Sequence, residues 1–344
     1  MTIVQSLDPV RWNAYVLAHP KGSIFHTPEM VEAFRGTRHH HPFVLAALDT
    51  AGSMLALLVA VRVQTLPTPF AAVSSRSVLY SEPICREDDL GVQALTQLLL
   101  VHDLRMKDKV LFTEIRPLRD ATRETSAFFA AHYEHSDYLN FLIDLRRPRD
   151  ELWRCLTKQC RYDIRQGPQK GLTIRDVTSA EGVDTLYALL QRTYQRARVP
   201  LADKTLFTES LRMLSAKQML KLFVAYHAGF AVGASALLVY KKVAYDWYCG
   251  TDRVKGVFVA DSLTWHMIEW AHQQGCDLFD FGGAGRPDTP YGVRNFKHKF
   301  GGQLVNYGRY QKVYAHWKLA LAERAYRMMR NSLGSHIWRA ASAL

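Results

Sequence analysis

Residues 278–302 read LFDFGGAGRPDTPYGVRNFKHKFGG. The stretch opens with a short apolar run around Asp280, breaks at Gly282 and Gly283, and closes on the basic and aromatic residues 296–300. An apolar run of this length that ends at glycines is typical of a short buried strand. A carboxylate inside such a strand is costly unless it has a partner or a function, so Asp280 is a candidate for site chemistry.

The residues before this stretch predict a complete α/β domain. Strands are predicted at Leu172–Asp176, Leu220–Tyr226, Ala231–Tyr240, Val243–Gly250 and Leu278–Phe281, and helices at Ala180–Arg196, Lys204–Ala216 and Val259–Gln274. These assignments follow from the alternation of apolar residues in strands and their 3.6-residue spacing in helices. Gly275 ends the last helix. The order β-α-α-β-β-β-α-β predicts a mixed sheet with helices on its faces.

The first half of the chain repeats much of this plan. It contains a predicted hairpin at Phe43–Leu48 and Met54–Val63, a strand near Val78–Tyr80, a helix at Asp89–Met106 and a strand at Val110–Ile115. Two degenerate copies of one domain account for the 344 residues. We therefore predict a first domain at 1–147, a second at 148–310, and a basic C-terminal helix at 311–344 that packs back on the first.

The formal net charge of +12 is concentrated near the C-terminus. Seven Lys or Arg residues and one Glu lie between Arg309 and Arg339. Such a local excess predicts an anionic partner: tRNA, a lipid pyrophosphate or a membrane surface. The five cysteines lack metal-site spacing, so we expect no metal and no tightly bound cofactor. No leader or spanning segment is evident, which predicts a cytoplasmic protein, with peripheral contact at the inner face of the membrane through 309–339 left open.

Three stretches resemble the FemABX peptidyltransferases and the wider FemAB-like branch of the GNAT superfamily. They are Leu139–Leu145 with the following residues 151–172, the strand Leu278–Gly283, and the closing segment Tyr291–Gly302. The family's coiled-coil arm has no counterpart, so the likeness is to its compact members. The resemblance implies tandem GNAT-type domains and transfer of an acyl group, often an amino acid from aminoacyl-tRNA, to an amine of a cell-envelope precursor.

The stretch Arg253–Ala260 bears on the acyl donor. Members of this fold that use acetyl-CoA carry a Q/RxxGxG/A loop whose backbone N–H groups bind the pyrophosphate. Arg253 and Gly256 keep the arginine and glycine of that pattern, which marks them as candidate cofactor-binding residues. Val257 and Phe258 follow where small residues would let the backbone approach a phosphate. This departure favours aminoacyl-tRNA as donor and leaves acyl-CoA open.

The candidate catalytic residues are Lys297 and Asp280. The resemblance places a basic residue at Lys297, where it would stabilise the oxyanion that forms when an amine attacks an ester or thioester. Asp280 would orient the amine or accept its proton. Arg161 and Arg165, four residues apart, would hold phosphates of tRNA or of a sugar-nucleotide precursor. The other candidates for substrate contact are Tyr80, Tyr248, Gly282, Gly283, Arg294 and Phe296.

These residues predict aminoacyl transfer to a peptidoglycan-type precursor, without a covalent enzyme intermediate. An acyl-CoA-dependent N-acyltransferase acting on surface polysaccharide or exopolysaccharide sugars is the alternative within enzymes. A non-catalytic module that binds RNA or membrane through its basic C-terminal segment is the alternative from a different class.

Overall fold

A computed structural model describes residues 1–64, 74–197, 200–321 and 324. The chain divides into two compact units. Unit 1 comprises Met1–Asp137 and the described residues from Tyr307 onward, and unit 2 comprises Tyr138–Asn306. Unit 2 thus begins before the boundary predicted at 147/148. The reason is that the strand at Leu139–Asp144 pairs on both sides with strands of unit 2.

Unit 1 is a mixed sheet with helices. Its elements are β1 (Thr2–Val4), α1 (Pro9–Ala18), α2 (Pro28–Gly36), β2 (His40–Leu48), β3 (Met54–Gln64), β4 (Ser75–Leu79), β5 (Ile84–Cys85), α3 (Asp89–Met106), β6 (Phe112–Ile115), α4 (Thr122–Ala130) and β7 (Glu134–Ser136). The predicted hairpin, helix α3 and strand β6 are confirmed. Strands β4 and β6 run parallel, because α3 crosses between them. Leu45, Leu58, Leu95 and Phe128 lie in the core of this unit.

The segment after Gly308 differs from the prediction of a C-terminal helix starting at 311. Arg309–Val313 forms a strand, labelled β15 because it follows all strands of unit 2 along the chain. It pairs antiparallel with both β6 and β7. Residues 316–321 are helical, and most of the predicted helix lies outside the described residues. Strand formation prevailed here because Tyr310 fills the core of unit 1, where its ring packs against Phe128 at 4.7 Å.

Unit 2 has the predicted order of elements with additional short ones. They are β8 (Leu139–Asp144), α5 (Arg149–Cys155), α6 (Lys158–Gln169), β9 (Thr173–Asp176), α7 (Ala180–Ala197), α8 (Lys204–Leu214), β10 (Leu220–His227), β11 (Phe230–Tyr240), β12 (Val243–Thr251), α9 (Val259–Gln273), β13 (Leu278–Gly285), α10 (Gly292–His298) and β14 (Gln303–Asn306). The sheet order is β14-β8-β13-β12-β11-β10-β9. The mixed α/β class and the repeated plan are confirmed, since β12 and β13 are parallel like β4 and β6.

Candidate active site

The parallel strands β12 and β13 diverge within the sheet of unit 2. Their register runs from Val243 opposite Leu278 to Tyr245 opposite Asp280. Beyond that point β12 stays paired with β11, and β13 stays paired with β8 through two irregularities, so the predicted strand continues past Gly282 to Gly285. Diverging strands present backbone N–H and C=O groups that a bound molecule can use. We define the splay as this opening after Tyr245 and Asp280.

Lys297, on the short helix α10, points its ammonium group at β13. It is 8% exposed, and its Nζ donates to three successive carbonyl oxygens, those of Phe281 at 2.5 Å, Gly282 at 3.2 Å and Gly283 at 2.8 Å. Burial lowers its pKa to about 8, while Asp246 and Asp280 act in the opposite direction. The lysine therefore holds the irregular part of the strand and also places a positive charge beside the splay.

Asp280 is 1% exposed at the base of the splay. Its Oδ1 accepts hydrogen bonds from Asn140 Nδ2 at 3.0 Å and from the backbone N–H of Gly282 at 2.8 Å. The flanking Phe279 and Phe281 pack into the core, as the alternation of a strand requires. Gly282 has a φ of +70°, a conformation that favours glycine. Asp280 thus stabilises the turn of backbone that brings these carbonyl groups to Lys297.

Asp246 is a third charged residue at the splay, and the sequence analysis did not select it. It follows Tyr245, the last residue of β12 that pairs with β13. Asp246 itself pairs with β11, and the register of that pairing shifts just after it, at Trp247. Burial raises its pKa to about 6, with Lys297 lowering and Asp280 raising it. The signal in the sequence was one acidic residue within the apolar run 243–249. The site therefore contains two carboxylates and one ammonium group.

Residues 156–298 match a family profile described as Acetyltransferase (GNAT) domain, and these residues include all three charged groups of the splay. Most of unit 2 thus matches the profile of a GNAT domain. The enzyme class predicted from the sequence is confirmed. No curated protein sequence matches the chain.

Solved structures show that the fold extends to the whole chain. FemX has a TM-score of 0.70 at 14% identity, over 96% of this chain and 100% of that one. The C-terminal domain of a putative lysylphosphatidylglycerol synthetase from Agrobacterium fabrum has a TM-score of 0.58 at 17% identity, over 97% of this chain and 98% of that one. A tandem GNAT protein from the clavulanic acid biosynthesis pathway has a TM-score of 0.57 at 14% identity, over 91% of this chain and 98% of that one. The predicted FemAB-like tandem GNAT fold is confirmed.

Aromatic side chains surround one side of the splay in the GNAT domain. Tyr248 is buried, and its ring lies 4.8 Å from that of Phe207 and 5.1 Å from that of Trp247. Tyr194 stands 6.1 Å from Tyr248, and burial raises its pKa, with Asp246 adding to the effect. Tyr248 therefore packs within an aromatic group that includes Tyr194, whose raised pKa Asp246 reinforces.

The remaining candidates of the closing segment organise its backbone. Arg294 donates to the carbonyl oxygens of Ala284 at 2.8 Å and Thr289 at 3.2 Å, and also contacts that of Arg286. Phe296 packs on the core, with its ring 5.4 Å from that of Phe300. Gly283 lies so near Tyr138 that an added Cβ would stand 2.7 Å from its ring. These contacts shape the segment that leads into α10, the helix that carries Lys297.

Arg161 and Arg165 lie on α6 but do not form a shared phosphate fork. Arg161 Nη1 donates to the carbonyl oxygens of Arg154 at 2.9 Å and Leu156 at 2.5 Å, at the end of α5. Arg165 stacks over Trp153, with its Cζ 5.3 Å from the ring centroid. Both guanidinium groups are thus directed to neighbouring parts of unit 2. The structure brings neither of them to Lys297 or Asp280 by a described contact.

The candidate cofactor residues lie in the turn before α9. Val254 and Val257 form an isolated bridge, and the carbonyl oxygen of Gly256 accepts a hydrogen bond from Lys170 Nζ at 2.6 Å. Arg253 is exposed. In the first turn of α9, the buried Asp261 accepts from Lys299 Nζ at 2.9 Å. A carboxylate therefore occupies the positive end of the helix dipole.

Replacing Asp246 with Asn should raise the stability of the protein at neutral pH. The folded state raises the pKa of this carboxyl from 3.8 to about 6, so wild-type stability falls as pH rises through that window. We expect a gain of about 1–3 kcal/mol above pH 6, since one unit of pKa corresponds to ~1.4 kcal/mol, and almost none near pH 4. Thermal melting from pH 4 to pH 8 measures the difference.

Asp252, directly after the end of β12, is the matched control. Hydrogen bonds from Arg192 lower its pKa, so its charged form is stabilised in the folded state. Asp252→Asn should therefore lower the melting temperature at neutral pH. Equal shifts of the same sign in both variants would contradict the assignment of Asp246 as a destabilised carboxylate.

Proposed function

We propose that this GNAT acyltransferase moves an aminoacyl group from aminoacyl-tRNA to an amine of a cell-envelope precursor of the peptidoglycan type. The observation that carries the choice of donor is the start of α9. A pyrophosphate group needs free N–H groups and a positive helix end. Here Asp261 supplies a negative charge in the first turn of α9. This carboxylate favours a donor without that pyrophosphate.

The likenesses agree with this choice. FemX resembles the chain over its whole length, and the second structure is named for the synthesis of lysylphosphatidylglycerol, which implies transfer of a lysyl group. Two proteins of this fold thus support aminoacyl transfer as the reaction. The acceptor is proposed from the family resemblance of the closing segment Tyr291–Gly302.

The charged groups of the splay fit a direct transfer. Asp246, with a pKa of about 6, is ionised near neutral pH and accepts the proton that the attacking amine loses. Lys297 stabilises the oxyanion that forms on the acyl carbonyl. To do so, its Nζ exchanges its longest hydrogen bond, the one to the carbonyl oxygen of Gly282, for a bond to the oxyanion. The ester C–O bond then breaks, the ribose oxygen takes the proton back from Asp246, and an amide is formed. Asp280 keeps the backbone in place.

An acyl-CoA donor is the second candidate, with a sugar amine of surface polysaccharide or exopolysaccharide as acceptor. The description of the matching family as an acetyltransferase domain favours it. So does the spacing of Arg253 and Gly256. Either donor would bind transiently, and we propose no tightly bound cofactor.

An anionic acceptor remains our proposal for the partner, together with peripheral contact at the inner face of the membrane. Two of the basic residues counted for that contact have partners in unit 1: Arg309 contacts Glu114, and Lys312 contacts Asp103. The later ones, apart from Lys318 and Arg324, lie outside the described residues. None of the helices in the described ranges is long and apolar enough to cross a bilayer.

The proposed donor is tested by incubating the purified chain with a muropeptide precursor and one of two radiolabelled donors. We expect label from a pool of aminoacyl-tRNA, and none from acetyl-CoA, to enter the acceptor. The same tRNA pool after alkaline deacylation, with the free labelled amino acids, is the control. Labelled acetyl product without aminoacyl product would refute the proposal and establish the second candidate.

A further inference from the structure

Several charged residues lie on one face of the sheet of unit 1. Val78 on β4 is opposite Glu114 on β6, and Glu114 is opposite Gln311 on β15. Side chains two residues apart on a strand share a face. Arg76 on β4 and Arg309 on β15 therefore lie on the same face as Glu114. Arg116, the residue after β6, also lies on this face, because its backbone N–H donates to the carbonyl oxygen of Leu79 and continues the ladder. We define Arg76, Arg116 and Arg309 as the arginine cluster.

Two members of the arginine cluster share the carboxylate of Glu114. Arg116 Nε lies 2.5 Å and Arg309 Nη1 3.3 Å from Glu114 Oε1. The side chains of Arg116, Arg309 and Glu114 are 13–14% exposed, and Arg76 is 6% exposed. Burial lowers the pKa of Arg76, and so does the repulsion of Arg116. The sheet thus holds like charges close together at a position that solvent reaches only in part.

Aromatic side chains border the cluster. Arg116 lies over the ring of Tyr80 at 5.7 Å, and Tyr80 stacks on Phe34 at 5.3 Å. Phe34 also stacks on His40 at 6.0 Å. Burial lowers the pKa of His40 to about 4, and Arg76 adds to the effect, so this imidazole is neutral at pH 7 and adds no charge. Tyr80, one of the predicted candidates for substrate contact, therefore lies beside the guanidinium group of Arg116.

We propose that the arginine cluster of unit 1 is a binding site for a phosphate group. Two guanidinium groups paired with one carboxylate, and a third, Arg76, whose charge acts on the same carboxylate, leave a net charge of about +2. This matches the charge of about −1.5 to −2 that a phosphate monoester carries at pH 7. Their planar forks suit phosphate oxygens and form charge-assisted hydrogen bonds. The ring of Tyr80 provides a surface on which the group next to the phosphate can pack. The inference concerns what unit 1 binds and stands apart from the identity of the acyl donor.

Titration calorimetry of the full chain with inorganic phosphate and with pyrophosphate, at constant ionic strength, tests the site. We expect saturable binding, and acetate at the same ionic strength should bind at least about tenfold more weakly, a difference of ~1.4 kcal/mol. Arg76→Met and Arg116→Gln should each weaken phosphate binding by about tenfold or more. Arg76→Met should also melt at or above the wild-type temperature without ligand, because it removes a buried like charge.

Arg105→Gln is the matched control. Arg105 is exposed on α3 and stacks over Phe43 at 5.6 Å, so its replacement removes one charge elsewhere on unit 1. It should leave phosphate binding unchanged. Absence of saturable binding in the wild type, equal loss in Arg105→Gln, or acetate binding as tight as phosphate would each overturn the site. Because the titration uses no acyl donor, its failure would leave the proposed transfer reaction standing.

Discussion

Lys297→Met should lower the rate constant of transfer by about a hundredfold or more, with a much smaller effect on KM. Loss of one group that stabilises an oxyanion costs about 10²–10³ in kcat. Here the lost group also holds the carbonyl oxygens of Phe281 and Gly283, so part of the loss comes from relaxation of the backbone at the splay. The effect is measured as kcat and KM with the donor that the incubation experiment identifies.

Two further variants separate charge from backbone support. Lys297→Arg keeps the charge and should recover part of the rate, because a guanidinium group can still reach the β13 carbonyls. Lys242→Met makes the same change in the exposed turn between β11 and β12 and should leave the rate unaltered. If Lys297→Met melts at a lower temperature but keeps a near wild-type kcat, the lysine only supports the strand and has no part in the chemistry.

The regular elements of both units were predictable because their apolar residues are periodic. Helix α3 occupies Asp89–Met106 as predicted, and β10, β11 and β12 differ from their predictions by at most two residues at an end. The class of enzyme also followed from the sequence, since the stretch 278–302 contains the strand and the lysine that form the splay. Local sequence determines elements of this kind, and no distant contact is needed to define them.

Residues whose role depends on distant contacts were not predictable. Asp246 gains its raised pKa from burial and from Asp280 on β13, far away in the sequence, against the opposing charge of Lys297 on α10. Arg161 and Arg165 have the spacing of a phosphate fork, but the end of α5 and Trp153 take up their guanidinium groups. Strand β15 lies at the start of the basic segment that was predicted to be helical, and its pairing with β6 and β7 makes it a strand.

Asp103→Ala should destabilise unit 1 by about 3–5 kcal/mol, the cost of breaking a buried ion pair from one side. Asp103 Oδ1 accepts from Tyr133 Oη at 2.7 Å and Tyr314 Oη at 2.6 Å, and its Oδ2 accepts from Lys312 Nζ at 2.7 Å. Burial opposes ionisation of Asp103, but hydrogen bonds from His102 and these three groups together lower its pKa. The alanine variant leaves the ammonium of Lys312 and two hydroxyl groups without this acceptor.

The same contacts determine how the loss depends on pH. A carboxyl whose pKa is lowered by folding stabilises the protein above the pKa of the unfolded chain, and the contribution fades as pH falls through the lower, folded value. Thermal melting should therefore show the full difference between wild type and Asp103→Ala at pH 7 and a smaller one in acid. Asp108→Ala, at an exposed position just after α3, is the matched control. Its free energy of unfolding should stay within about 0.5 kcal/mol of wild type. A loss in Asp103→Ala no greater than in this control would mean that the contacts of Asp103 do not help to hold β15 in the sheet.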